Sequence, residues 1–106
     1  MTGDALTALC RSMSGAAETF PFEPGVPVFK APNGKVFAIV TERAGAVEVS
    51  VKCEPALGEA LRAQYRSIEP GYHLNKKHWI TISLDGDVPD ERVRELVLDS
   101  YELVTG

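Results

Sequence analysis

The 106-residue chain is poor in several features that would narrow its class at once. It has two cysteines, Cys10 and Cys53, and no CxxC pair. Lone cysteines suit reduced thiols in a cytoplasm, and as small apolar residues both are expected in the core. No apolar run approaches the roughly 18 residues of a membrane helix. The N-terminus lacks the basic-then-apolar pattern of a signal peptide, so a cytoplasmic location is expected. Nucleophile elbow, phosphate-binding glycine loop and HExxH motif are all missing, so the chain reads as a non-enzyme with no cofactor. The two histidines, His73 and His78, have no nearby Cys or carboxylate pattern that would supply the three or four convergent ligands of a metal site.

What is there fits one folded domain spanning 1–106. Hydrophobic residues make up 44% of the chain, enough for a modest core. The net charge of −4 hides an asymmetry: residues 26–78 hold eight Lys/Arg and five Asp/Glu, whereas residues 79–106 hold two Arg and seven acids. An acidic whole argues against strong non-specific nucleic-acid affinity but is compatible with a local basic patch.

The spacing of apolar residues predicts the element order α-β-β-β-α-β-α. A helix over about Asp4–Gly15 aligns Leu6, Leu9, Cys10 and Met13. The segment FPFEPGVP (20–27) follows as an extended loop, and Phe20 and Phe22 are expected to close an edge of the core. Strands over Val26–Lys30, Lys35–Glu42 and Ala46–Cys53 are joined by the turn signals Pro32-Asn33-Gly34 and Ala44-Gly45, so they pair antiparallel. The third alternates cleanly: Val47, Val49, Val51 and Cys53 define a buried face, and Glu48, Ser50 and Lys52 a wet one. Lys35–Glu42 is apolar on both sides and does not reveal which sheet face is open. A second helix opens at Pro55, with Leu57, Leu61, Tyr65 and Ile68 as its buried stripe, and Pro70-Gly71 ends it. A basic, aromatic loop leads to a strand over Lys77–Leu84. The last helix begins near Pro89, with Val93, Leu96, Val97, Tyr101 and Val104 on its stripe and Leu98 and Leu103 off it. The result is a two-layer α+β domain, an antiparallel sheet of about four to five strands with helices on one face.

Six stretches, in order, carry a family resemblance: FPFEPGVPVFK (20–30), GKVFAIV (34–40), VSVKCEP (49–55), Leu61 with Tyr65, PGYHLNKKHW (70–79) and SYELV (100–104). Together they resemble the MmcQ/YjbR family of small bacterial proteins. The resemblance implies a fold like that of the bacterial frataxin homologue CyaY, also described as a double-wing arrangement. It also implies DNA as a partner.

If the Val47 and Ile80 faces are buried, Lys52, Trp79 and Thr81 point outward. Lys30, Lys52, Lys76, Lys77 and Trp79, extended by Arg62 and Arg66, then form a candidate nucleic-acid surface. The indole would stack on bases while the cationic groups meet phosphates. The alternative is that Trp79 packs beneath the loop or against Phe29 and the lysines solvate an edge. His73 and His78 are expected to bond backbone through a ring nitrogen, with Asn75 and Tyr72 ordering the same loop. A small anionic ligand held by His73, Asn75 and Lys76 is a weaker reading. A protein partner on the PGYHLNKKHW loop or the Leu98/Leu103 face is another, for a monomer or weak homodimer. The last helix carries Asp90, Glu91, Glu95, Asp99 and Glu102, read as a solvated face rather than an iron surface. Ser100 sits within an apolar stripe and reads as a packing residue.

Overall fold

A computed structural model describes residues 1–106. Three helices, α1 (Gly3–Arg11), α2 (Pro55–Gln64) and α3 (Asp90–Thr105), combine with six strands. The strands are β1 (Ala17–Thr19), β2 (Val28–Lys30), β3 (Val36–Arg43), β4 (Ala46–Lys52), β5 (Ile68–Pro70) and β6 (Trp79–Ser83). They form one antiparallel sheet in the order β1-β2-β3-β4-β6-β5. No helix is long and apolar enough to cross a membrane.

The α+β class and the order of the longer elements are as the sequence predicts, but the sheet has six strands. The two extra strands are its edges, each three residues long. β5 corrects the reading of the second helix. α2 ends at Gln64, and Ile68 pairs with Ile82 instead of continuing the helical stripe. Pro70 takes the last position of β5, where an edge strand tolerates a residue without an N–H. Leu57, expected in the buried stripe, is exposed.

The helices share one sheet face. Val49 lies opposite Val40 and Ile82, and Val51 opposite Ala38 and Ile80. These side chains meet Leu6 and Cys10 of α1, Leu61 of α2, and Val93, Leu96, Val97 and Val104 of α3 in one apolar cluster. Cys10 has no exposed surface, and that burial pushes its thiol up to about 12.

The double apolarity of β3 has two causes. The β2–β3 register shifts between Phe29 and Lys30, which places a bulge at Phe37. Phe37 thereby joins the helix-side core, edge-on to Tyr101 with centroids 5.2 Å apart. Ile39 stays on the opposite face, pairing with Val28, and both are buried outside the main core. That second face is therefore covered, and the covering segments form the candidate site.

Candidate ligand groove and basic sheet end

The face away from the helices carries Ile39 and Thr41 of β3, Glu48 and Ser50 of β4, and Thr81 of β6. Alternation predicts Glu48 and Ser50 to be wet, yet both are buried, and Thr81 has no exposed surface. Two loops explain the difference. The 20–27 segment runs between β1 and β2, and the 71–78 segment joins β5 to β6. Each leans over the sheet from one side. Between them lies a groove of about 500 Å³, with Ile39, Thr41 and Ser50 on its floor. Phe22 and Val26 stand on one wall, and Tyr72, His73 and Leu74 on the other, with Arg43 near one end.

Phe20 and Phe22 therefore do not close the core. Phe22 is 71% exposed, because Pro21 and the Pro24-Gly25 turn hold the loop outside the sheet layer.

The opposite wall is tightly organised. The Ser50 and Thr81 hydroxyls are 2.8 Å apart, and Thr81 also accepts from the Tyr72 amide at 2.9 Å. Asn75 Oδ1 accepts from the Lys77 and His78 amides, closing a turn in which a short side chain replaces a backbone acceptor. Lys76 Nζ donates to the Gly71 carbonyl at 2.8 Å. Gly71 has room for nothing larger, since a Cβ would lie 2.7 Å from that of Trp79. His73 adopts φ +58°, a left-handed conformation uncommon for a non-glycine residue. Its ring does not bond backbone, contrary to the sequence expectation, but packs on Tyr72 with centroids 4.0 Å apart. No ring nitrogen of His78 is bonded either, and that side chain is exposed.

Arg43 fixes the position of Tyr72. Its guanidinium lies 4.0 Å over the phenol ring and also pairs with Glu48, at 2.7 Å, and with Glu69. These hydrogen bonds push the arginine further into its charged form, Glu48 contributing most. The second Glu48 oxygen is buried without a partner. Sequence reading missed Arg43 as a site residue because its three partners come from β4, β5 and the 71–78 loop, a convergence that only the sheet order produces.

The sequence-predicted cations divide into three groups. Antiparallel pairing brings Lys30 opposite Val36 and Lys52 opposite Trp79, at one end of the sheet. Lys76 and Lys77 precede β6 at that same end, and Lys35, which sequence reading passed over, enters β3 there. No carboxylate lies within 4.0 Å of any of these five lysines. Lys52 also borders a cleft of about 390 Å³ whose lining includes Glu54, Leu57, Asp99 and Leu103, so its surroundings are partly acidic. Arg66 lies at the far end of β6, beside Asp87. Arg62 belongs to the helix layer, reaching alongside Gly58 on α2. The far end of the sheet is mixed in charge: Glu48, Glu69 and Asp87 line a polar hollow there with Arg66, Ser67 and Ser83, and Arg43 pairs with the first two.

A two-layer α+β fold whose open sheet face is roofed by two loops defines the class of molecule. The YjbR family model matches residues 11–103, and the chain belongs to that family. It is 38% identical to the uncharacterized protein YjbR of Escherichia coli K12 over 106 residues, covering 96% of this chain and 86% of that one. It is likewise 38% identical to the uncharacterized protein YbdF of Escherichia coli O157:H7 over 85 residues, 80% of this chain and 69% of the other. The crystal structure of Deinococcus radiodurans protein DR2400, a DUF419 domain, superposes with a TM-score of 0.90 at 42% identity. That match covers 98% of this chain and 78% of DR2400. A Pseudomonas syringae protein matches with a TM-score of 0.87 at 26% identity, over 97% of this chain and 98% of its own.

Proposed function

We propose that this YjbR-family protein is a cytoplasmic, non-catalytic nucleic-acid-binding protein, acting as a monomer or weak homodimer. It contacts the phosphate backbone through the lysine-bearing end of its sheet. One observation carries the reading: Lys30, Lys35, Lys52, Lys76 and Lys77 come from four separate segments, converge on one sheet end, and have no carboxylate within 4.0 Å. On a protein with net charge −4, a cluster of lysines free of carboxylate partners at one sheet end favours a polyanion. Arg66 is left out of this surface because it lies at the other end of the sheet beside Asp87, and Arg62 because it projects from the helix layer.

The test is a titration of duplex and single-stranded DNA into isotopically labelled protein at two salt concentrations, following backbone amides. The amides of Lys30, Lys35, Lys76, Lys77 and Trp79 should shift, and the shifts should fade with salt. Each phosphate contact adds about 0.9 to the slope of log affinity against log salt, so Lys76→Glu with Lys77→Glu should remove roughly two units of slope. An unchanged slope in that double variant, or no shift at low salt, refutes the assignment. A protein partner on the exposed Leu98 and Leu103 of α3 is the second reading, and binding insensitive to salt would favour it.

A further inference from the structure

The groove on the open sheet face has features that phosphate contact does not use. Its volume of about 500 Å³ falls within the range of about 300–1,000 Å³ typical of small-molecule sites. Its walls carry aromatic surface on both sides: Phe22 from the 20–27 loop, and Tyr72 with His73 from the 71–78 loop. The Tyr72 ring is held between the Arg43 guanidinium and the His73 ring, so the Tyr72–His73 pair is fixed in place on the groove wall. Phe22 is exposed on the facing wall, so its ring is accessible to a ligand entering the groove.

Three polar groups around these rings are unengaged. Thr41 lies on the floor, Glu23 and Glu42 stand at the margins, and none of the three side chains takes part in a hydrogen bond or ion pair. This array suits a flat ring whose edge offers N–H donors. The ring lies against phenyl and phenol, and the amino group meets a hydroxyl or carboxylate, as Glu accepts from the exocyclic amine of cytosine. The 71–78 loop links the groove to the lysine end: Tyr72, His73 and Leu74 on the groove wall are followed by Lys76 and Lys77 in one short loop. A chain whose phosphates follow the lysines has its unpaired bases beside the groove mouth, whereas a duplex keeps its bases stacked out of reach.

We propose that this groove receives an unpaired base of a single-stranded nucleic acid, stacked against Phe22 and the Tyr72–His73 pair. The proposal rests on the nucleic-acid reading above and specifies its substrate as single-stranded.

The test follows the groove and the lysines separately in one labelled sample. Methyl signals of Val26, Ile39 and Leu74 report the groove, and amide signals of Lys76 and Lys77 report the sheet end. The probes are single-stranded oligodeoxycytidylate of about ten nucleotides, a duplex of matched length, and free cytidine without phosphate. Single strands should shift both sets of signals, the duplex only the amides, and millimolar cytidine only the methyls. Phe22→Ala, at an exposed position, should leave the fold and the duplex affinity unchanged while weakening single-strand binding roughly five- to hundredfold. Equal single-strand affinity in Phe22→Ala, or methyl signals silent to every probe, overturns the groove inference while leaving the phosphate reading standing. Methyl shifts with cytidine but no amide shifts with either DNA would mark a nucleoside site, overturning the single-strand occupant and the phosphate reading together. No shifts of any kind would overturn both.

Discussion

Ser100→Ala tests how the two layers are joined. Ser100 has no exposed surface, and its hydroxyl makes two bonds. It donates to the Phe37 carbonyl at 2.7 Å and accepts from the Lys52 amide at 2.9 Å. The last β3–β4 ladder pair is Ala38 with Val51, so Phe37 and Lys52 are the next residues in register. The bulge at Phe37 spreads the strands at this point, and the serine of α3 stands where the next ladder bond would fall. Alanine in its place would fill nearly the same volume but orphan both backbone groups. An unsatisfied buried carbonyl costs about 1–3 kcal/mol, and the half-buried Lys52 amide, which water can partly reach, up to about 1 more. The expected loss is therefore about 1–4 kcal/mol, a large part of the roughly 5–15 kcal/mol that holds a domain of this size. At about 4–5 °C per kcal/mol for such a chain, Tm should fall by roughly 4–20 °C. Urea unfolding followed by Trp79 fluorescence measures it, with Thr105→Ala on the same helix as the control. That hydroxyl is exposed and bonds only its own helix, so its loss should cost less than about 0.5 kcal/mol. A Ser100→Ala variant as stable as the control would refute the reasoning.

Two further perturbations address the turns at the end of the sheet away from the lysines. Asp87 accepts from the Ser67 hydroxyl and from the Arg66 and Ser67 amides, and these bonds, the hydroxyl first, lower its carboxyl to about 2. A depressed folded-state pKa gives stability that is present above the ordinary carboxylate range and lost as pH falls through about 2. The urea midpoint should thus decline over that acid window, and the decline should be shallower in Asp87→Asn, where the titrating group is gone. Ala44 and Gly45 form the β3–β4 hairpin turn with φ of +53° and +81°, the pattern that favours Asn-Gly. Ala44→Asn should raise the unfolding free energy by roughly 0.5–1 kcal/mol, because asparagine tolerates the left-handed region better than alanine. A thermal melt no higher than wild type would count against that turn geometry.

The fold was legible where one periodicity ruled. β4 alternates without a break, and its Val49 and Val51 face is the core, as its pattern indicates. α3 shows the same clarity, with Val93, Leu96, Val97 and Val104 all buried. Legibility failed where short segments depend on distant partners. Ile68 fits a helical stripe as well as a strand, and only Ile82 decides between them. β1, at three residues, has too little pattern to register against any period. The site was partly legible for a related reason. Lys52 and Trp79 belong together by strand alternation, and the structure pairs them directly. Arg66 lies near them in sequence but at the other end of β6, since a strand separates what the chain order suggests is adjacent. Phe22 looked like core because proline-flanked aromatics usually are, and nothing local reveals that its loop lies over the open face.

The buried polar residues of that face tie the fold to the proposed activity. Ser50, Thr81 and Glu48 occupy positions that a solvated sheet face would leave wet and that a second apolar core would fill with Val or Ile. They are neither. Thr81 anchors the Tyr72 amide, and Glu48 anchors Arg43, which in turn holds the Tyr72 ring. Both polar anchors therefore serve one residue of the 71–78 loop, from beneath and from the side. A loop needing only to shield the sheet would be held more cheaply by apolar contacts, since a buried carboxylate with one oxygen unpartnered opposes folding. Such groups are kept where geometry matters more than stability. The residue they fix lines the groove together with His73, while the same loop carries Lys76 and Lys77 to the sheet end. On this argument the sheet is the scaffold and the 71–78 loop is the working part. Substitutions at Arg43 or Glu48 should then disturb the Tyr72 ring and its groove before they disturb the lysine end.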